Sequence, residues 1–191
     1  MGFLDTLLGR RQVAKAASND RLFAMSTAAV ELETAHDVVT RGHAAIVFQP
    51  LATSDFDRLV AESEELVRGQ GEENGTEVRS EADTFGYRWV VFDDEDVDDL
   101  VVAVHTVSES LATGGYADRT LCAVFGFQDA RKQPIYFIYN YKRGSWYPFV
   151  PASGAQQRSS ERELQVKAQI GGELPIEPEL ERWFPLWGIP I

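Results

Sequence analysis

The chain reads as an α+β protein, a mostly antiparallel sheet covered by two or three helices, and three observations predict this class. Strand-like segments follow one another through short polar connections at Leu121–Phe127, Pro134–Tyr141 and Trp146–Val150, which favours consecutive antiparallel pairing. Apolar residues recur at three- and four-residue steps over 56–67 and 97–111, the spacing of helices with one buried face. The strict strand–helix alternation of a parallel doubly wound sheet is absent.

Residues 1–20 form an amphipathic segment and linker, with Phe3, Leu4, Leu7 and Leu8 on one helical stripe before Arg10 and Arg11, followed by small and polar residues. The α+β domain is expected over 21–172 and an aromatic C-terminal tail over 173–191. Ala28–Ala35 reads as a strand with Val30 and Leu32 on one face, and Ala44–Phe48 as a short buried strand. Ser54 is expected to cap a helix, with Asp57 completing a capping box. Phe56, Leu59, Val60 and Val67 line its inner face, and a glycine- and acid-rich loop over 69–75 ends it.

Val78–Ser80 suggests a short strand. Phe85–Phe92 is aromatic and β-branched, the strongest strand signal in the chain, with Phe85, Tyr87, Trp89 and Val91 on one face. The acid run over 93–99 has neither the glycine nor the terminal glutamate of a calcium loop, so it reads as the N-terminus of the next helix. Val97, Leu100, Val101, Val104, Val107 and Leu111 give that helix its buried stripe, and Gly114–Gly115 stops it. Pro148 places the last of the three consecutive strands at an edge. Ser160 and Glu163 read as a second capping box, closed by Gly171–Gly172. Pro178 suits the first turn of a short helix running to Trp183.

Composition narrows the function. The 191 residues are 44% hydrophobic, ordinary for one soluble domain. A net charge of −12 lacks the basic footprint of a nucleic-acid binder and disfavours a body lying flat on an anionic membrane. Lysine occurs only at Lys15, Lys132, Lys142 and Lys167, a bias toward arginine that suits a high-GC or salt-adapted prokaryote. The single cysteine, Cys122, sits in an apolar run and reads as a core residue, so no intrachain disulfide forms.

No chemical centre emerges. His36, His43 and His105 lack metal-ligand spacing, no cysteine pair completes a zinc site, and no nucleophile elbow or phosphate-cradling loop occurs. Carboxylates are plentiful, and nothing in their pattern selects a pair for acid–base work. No metal, cofactor or catalytic residue is therefore expected.

What remains is contact surface. The tail carries Trp183, Phe184 and Trp187 with Leu186, Ile189 and Ile191, far too apolar for a solvated end. It either docks on its own domain or serves a partner. The hairpin Tyr139–Phe149 presents Lys142 and Arg143 at a basic tip beside Trp146, suited to an anion or to a protein held by arginine and aromatic anchors, with about half of the hairpin's aromatics expected in the core. The N-terminal stripe is too short to be a stable free helix and is expected to fold on docking. The candidate protein- or membrane-binding residues are thus Phe3, Leu4, Leu7, Leu8, Lys142, Arg143, Trp146, Trp183, Phe184 and Trp187.

Five segments occur in order: Met1-Gly-Phe-Leu-Asp-Thr-Leu-Leu-Gly-Arg-Arg11, Phe85-Gly-Tyr-Arg-Trp89, Tyr141-Lys-Arg-Gly-Ser-Trp-Tyr-Pro-Phe149, Glu163-Leu-Gln-Val166, and Pro175-Ile-Glu-Pro-Glu-Leu-Glu-Arg-Trp-Phe-Pro-Leu-Trp-Gly188. In these the chain resembles, over nearly its whole length, the PspAB family of PspA-associated proteins of actinobacteria and haloarchaea. The resemblance implies an accessory of a phage-shock-type envelope stress response, whose PspA is a helical protein that assembles on damaged membrane. It brings no catalytic residues. The element order is also similar, more loosely, to the type III secretion chaperone and YbjN-like fold, which implies a dimeric binding protein.

The expected function is a non-enzymatic adaptor that binds a protein partner, PspA, through aromatic surfaces. It would sit in the cytoplasm, with peripheral contact at the inner face of the membrane through residues 1–11. The alternatives are a chaperone-like homodimer and a hydrolytic enzyme with an unrecognised site.

Overall fold

Six segments build the centre of the molecule, a six-stranded antiparallel sheet in the order β2-β3-β1-β4-β5-β6, whose inner strands are continuous apolar runs because both of their faces are covered. The computed structural model describes residues 21–153 and 156–191, with backbone only at 72–74. The stripe Phe3, Leu4, Leu7 and Leu8 lies outside the described residues.

The strands are β1 (Val39–Phe48), β2 (Glu77–Ala82), β3 (Arg88–Asp93), β4 (Thr120–Gln128), β5 (Pro134–Asn140) and β6 (Ser145–Phe149). The helices are α1, over 21–36, α2 (Ser54–Asn74), α3 (Val97–Thr113) and α4 (Ser160–Ile170). The α+β class and the antiparallel sheet are as expected from the sequence, and among the described residues there is one helix more than expected.

That extra helix is α1, where a strand was expected over 28–35. Leu22, Met25, Ala28 and Leu32 are buried while Val30 is exposed, so the pattern that burial selects is helical. The window 28–35 is too short to show this. Extending it back to Leu22 adds the two residues that reveal the period.

Other boundaries shift for identifiable reasons. Thr53, not Ser54, caps α2, its hydroxyl accepting from Phe56 N–H. The helix continues through Gly69 and Gly71 and stops at Gly75, which takes the left-handed conformation at φ 98°. A side chain at 71 would lie 2.3 Å from the Thr76 carbonyl, so glycine there permits the chain to turn back closely into β2. Asp96 caps α3 by accepting from Asp98 N–H, and the acid run lies at the helix N-terminus as expected.

At α4 the expected capping box is absent. Glu163 instead accepts from Val150 N–H and from Arg158, a charge-assisted partner stronger than a helix N–H. Pro178 lies ahead of the expected short helix, which is a single 3-10 turn at Leu180–Arg182.

The sheet has two unlike faces. Ile46, Phe92, Phe125, Phe137 and Trp146 point inward and form one core with residues of all four helices. Val47, Trp89, Val91, Cys122, Val124, Ile138 and Tyr147 belong to a second cluster on the opposite face, where no α-helix lies among the described residues. Trp183 joins that cluster, with Leu186, Trp187, Ile189 and Ile191 packed against it.

Candidate functional site

The second face is closed by the C-terminal tail, an irregular segment whose backbone has no ladder of its own. Sheet and loop side chains supply the missing donors. Arg158 donates to the Trp183 carbonyl at 2.5 Å and the Tyr147 hydroxyl to the Phe184 carbonyl at 3.1 Å. Arg79 donates to the Pro190 carbonyl at 2.7 Å and the Tyr136 hydroxyl to the Ile191 carbonyl at 3.1 Å. Trp183 stacks on Tyr147, Trp187 meets Phe149 edge-on, and the Lys167 ammonium lies 5.7 Å from the Trp183 ring centroid.

The approach to the tail is held by the β5–β6 hairpin. Glu177 N–H donates to the Trp146 carbonyl and Trp146 N–H to the Pro175 carbonyl, which covers the outer edge of β6 at that point. Arg143 donates to the buried Glu177 carboxylate at 2.7 Å, and Ser145 at 3.1 Å. Burial alone would raise the pKa of Glu177. The hydrogen bonds from Arg143, Glu179 N–H and Ser145, with the charge of Arg143, outweigh that and hold it below the usual glutamate value.

These contacts correct part of the expected binding surface. Trp146 is fully buried between Phe125 and Tyr139, and its indole donates to the Arg21 carbonyl. Trp183 is 3% exposed. Both are core residues in this structure, because a planar ring with one N–H can be buried completely once that N–H has a carbonyl partner. Arg143 is drawn into the Glu177 clasp. Trp187 is half-buried, whereas Phe184 and Lys142 stay exposed.

The tail leaves one end of the outer face open. There a groove of about 790 Å³ runs between Trp89, Cys122 and Tyr147 on the sheet and Leu186 and Trp187 on the tail. Four exposed apolar residues stand on its lining: Phe85 at 73%, Phe184 at 59%, and Tyr87 and Leu121. Lys142 reaches the same groove from the hairpin tip, so three expected residues, Lys142, Phe184 and Trp187, share a site with three exposed ones, Phe85, Tyr87 and Leu121, to which the sequence reading assigned no binding role.

Phe85 is projected by a turn, not by β3 as the sequence suggested. Asp83 accepts from Phe85 N–H at 2.8 Å, Tyr87 N–H at 2.9 Å and the Trp89 indole at 3.1 Å. Gly86 takes φ 85° within the turn. Burial would raise the pKa of Asp83, but the Trp89 indole and these backbone donors lower it on balance. The signal was legible: an aspartate three residues before a glycine is turn chemistry, even inside an aromatic run.

Several other polar groups are engaged in structure. His43 Nδ1 lies 2.6 Å from Asp93 Oδ1, whereas His105 sits on α3 against the Phe23 ring, so these histidines share no site. Glu64 and Glu163, both buried, pair with Arg88 and Arg158. Burial pushes the Cys122 thiol up to about 12, which keeps it protonated at neutral pH. Among the described residues no group of three or more His, Cys, Asp or Glu side chains could hold a metal ion. None of the described helices is long and apolar enough to cross a membrane.

No curated protein and no solved structure matches the chain. The family model described as PspAB, PspA associated protein B, matches residues 1–191, the full length that includes the turn, the hairpin and the tail. The chain belongs to the PspAB family.

Proposed function

We propose that this protein is a non-enzymatic accessory of a PspA-type membrane-stress response and that the open groove takes the apolar face of a helical segment of PspA. The observation that carries the reading is the gathering of Phe85, Tyr87, Leu121 and Phe184 around one groove, while the rest of the outer cluster is covered by the tail. An exposed apolar patch of this kind marks an interaction surface more often than a solvated one. Aromatic anchors around a hydrophobic groove suit an amphipathic helix. The family's description, PspA associated protein B, supports PspA as the partner. The site would operate in the cytoplasm, at the inner face of the stressed membrane.

The same features favour an adaptor over a chaperone-like homodimer. In the homodimer reading, the edge strand or the tail pairs two copies. β6 carries Pro148 and is covered at Trp146, β2 carries Arg79 and Glu81, and the tail is laid on its own sheet.

The test is calorimetric titration of purified PspA from the source organism into the intact protein and into a Phe85→Glu/Phe184→Glu variant. Charge in the groove should weaken binding at least tenfold, about 1.4 kcal/mol, with the melting temperature unchanged. Equal affinities would remove the groove from the mechanism, and absence of binding by the intact protein would remove PspA.

A further inference from the structure

The groove has a candidate occupant within the same chain. Arg21, the first described residue, donates to the Gly144 carbonyl and accepts from the Trp146 indole, so α1 begins at the tip of the β5–β6 hairpin. Lys142, two residues from Gly144, lines the groove. Two residues span at most about 7 Å. The linker over 12–20 extends to about 30 Å on the same scale, which is enough to carry residues 1–11 around the tip and onto the outer face.

The segment is suited to what it would meet. Phe3, Leu4, Leu7 and Leu8 form an apolar stripe, and a helix of eight residues is about 12 Å long. Residues 1–20 hold three basic residues against two acidic ones, in a chain that carries −12 overall. The groove lining has Asp83 and Asp118 against Lys142 alone. A short tether also supplies an effective concentration of about millimolar. Contacts that would be negligible between separate molecules are then sufficient.

We propose that residues 1–11 fold back into this groove as an internal occupant, laying the Phe3–Leu8 stripe against Trp89 and Trp187 and masking the groove until a partner displaces it. The fold-back goes beyond the proposed function and holds whichever partner binds. It makes the N-terminal segment a competitor for the groove, with membrane contact as the rival fate of the same stripe.

The indole signals of the four tryptophans make the test specific. Trp89 and Trp187 line the groove, whereas Trp183 is buried beside it and serves as a control. Spectra of 15N-labelled full chain would be compared with a variant lacking residues 1–11 and with full-length Leu4→Glu/Leu7→Glu, all without partner. Both changes should move the Trp89 and Trp187 indole signals and the Leu121 and Cys122 amides, and leave Trp183 in place. Adding a synthetic peptide of residues 1–11 to the truncated protein should return them toward their full-length positions. Superimposable groove signals in all three proteins would overturn the fold-back. So would a peptide that binds anionic vesicles of phosphatidylglycerol yet leaves these signals unmoved. Because no PspA is present, failure of this test is separate from failure to bind PspA.

Discussion

The two faces of the sheet are closed by different means. On the inner face, four helices bring hydrogen-bonded backbones and need to contribute only apolar side chains, and the core there is continuous. On the outer face, a tail with one 3-10 turn borrows donors from Arg158, Tyr147, Arg79 and Tyr136, and stops short of covering the sheet. The contrast teaches that the outer face is sealed residue by residue. It can be left open at one end without disturbing the fold, and there the exposed aromatics collect.

The comparison breaks most visibly where the inner core is cut. Trp146→Ala should cost about 3–5 kcal/mol, because it leaves a cavity beside Phe125 and Tyr139 and strips the Arg21 carbonyl of its donor. Chemical denaturation measures it. Trp183→Ala should cost less, about 3 kcal/mol at the lower end of that range, since the tail can shift locally while the sheet holds. A loss below about 1 kcal/mol would mean that the tail is not part of the folded unit.

Glu177→Gln sharpens the comparison through pH. The folded pKa of Glu177 is depressed, so its charged form stabilises the protein at neutral pH. That contribution is lost as pH falls below the usual glutamate value near 4.5 and through the lower folded one. Removing the charge should cost about 1–3 kcal/mol at pH 7 and flatten the stability profile between about pH 5 and 3. Asp83 and Asp129 are depressed as well, so the intact protein keeps a pH dependence in this range and the difference between the two proteins is what counts. The smallest effect belongs to the groove: Phe85→Ala and Phe184→Ala should each change stability by no more than about 0.5 kcal/mol, as thermal melts would show.

Much of the fold was legible because its signals are local. The stripe from Val97 to Leu111, the glycine pair after it, the three consecutive strands and the edge position of Pro148 all depend on neighbours within one element. What was missed depends on partners far away in sequence. Glu163 was read as a cap because its competing partner, Val150 N–H, lies 13 residues away. Trp146 reads as an anchor because nothing local reveals that the Arg21 carbonyl, 125 residues away, accepts from its indole, and the tail stays open between docking and partner binding because Trp183 is covered by the distant Tyr147. Lys142 and Phe184, singled out from composition alone, are exposed and line the groove. The groove itself was invisible, since Phe85, Leu121 and Phe184 meet only when the tail crosses the folded sheet.

The central claim is that the protein works through the open end of its outer face. It is tested most directly by titrating unlabelled PspA into the 15N-labelled full chain and mapping the amides that move. Perturbation should concentrate at Phe85, Tyr87, Leu121 and Phe184. Movement confined to the solvent side of α1, α2 and α3, with the groove silent, would contradict it.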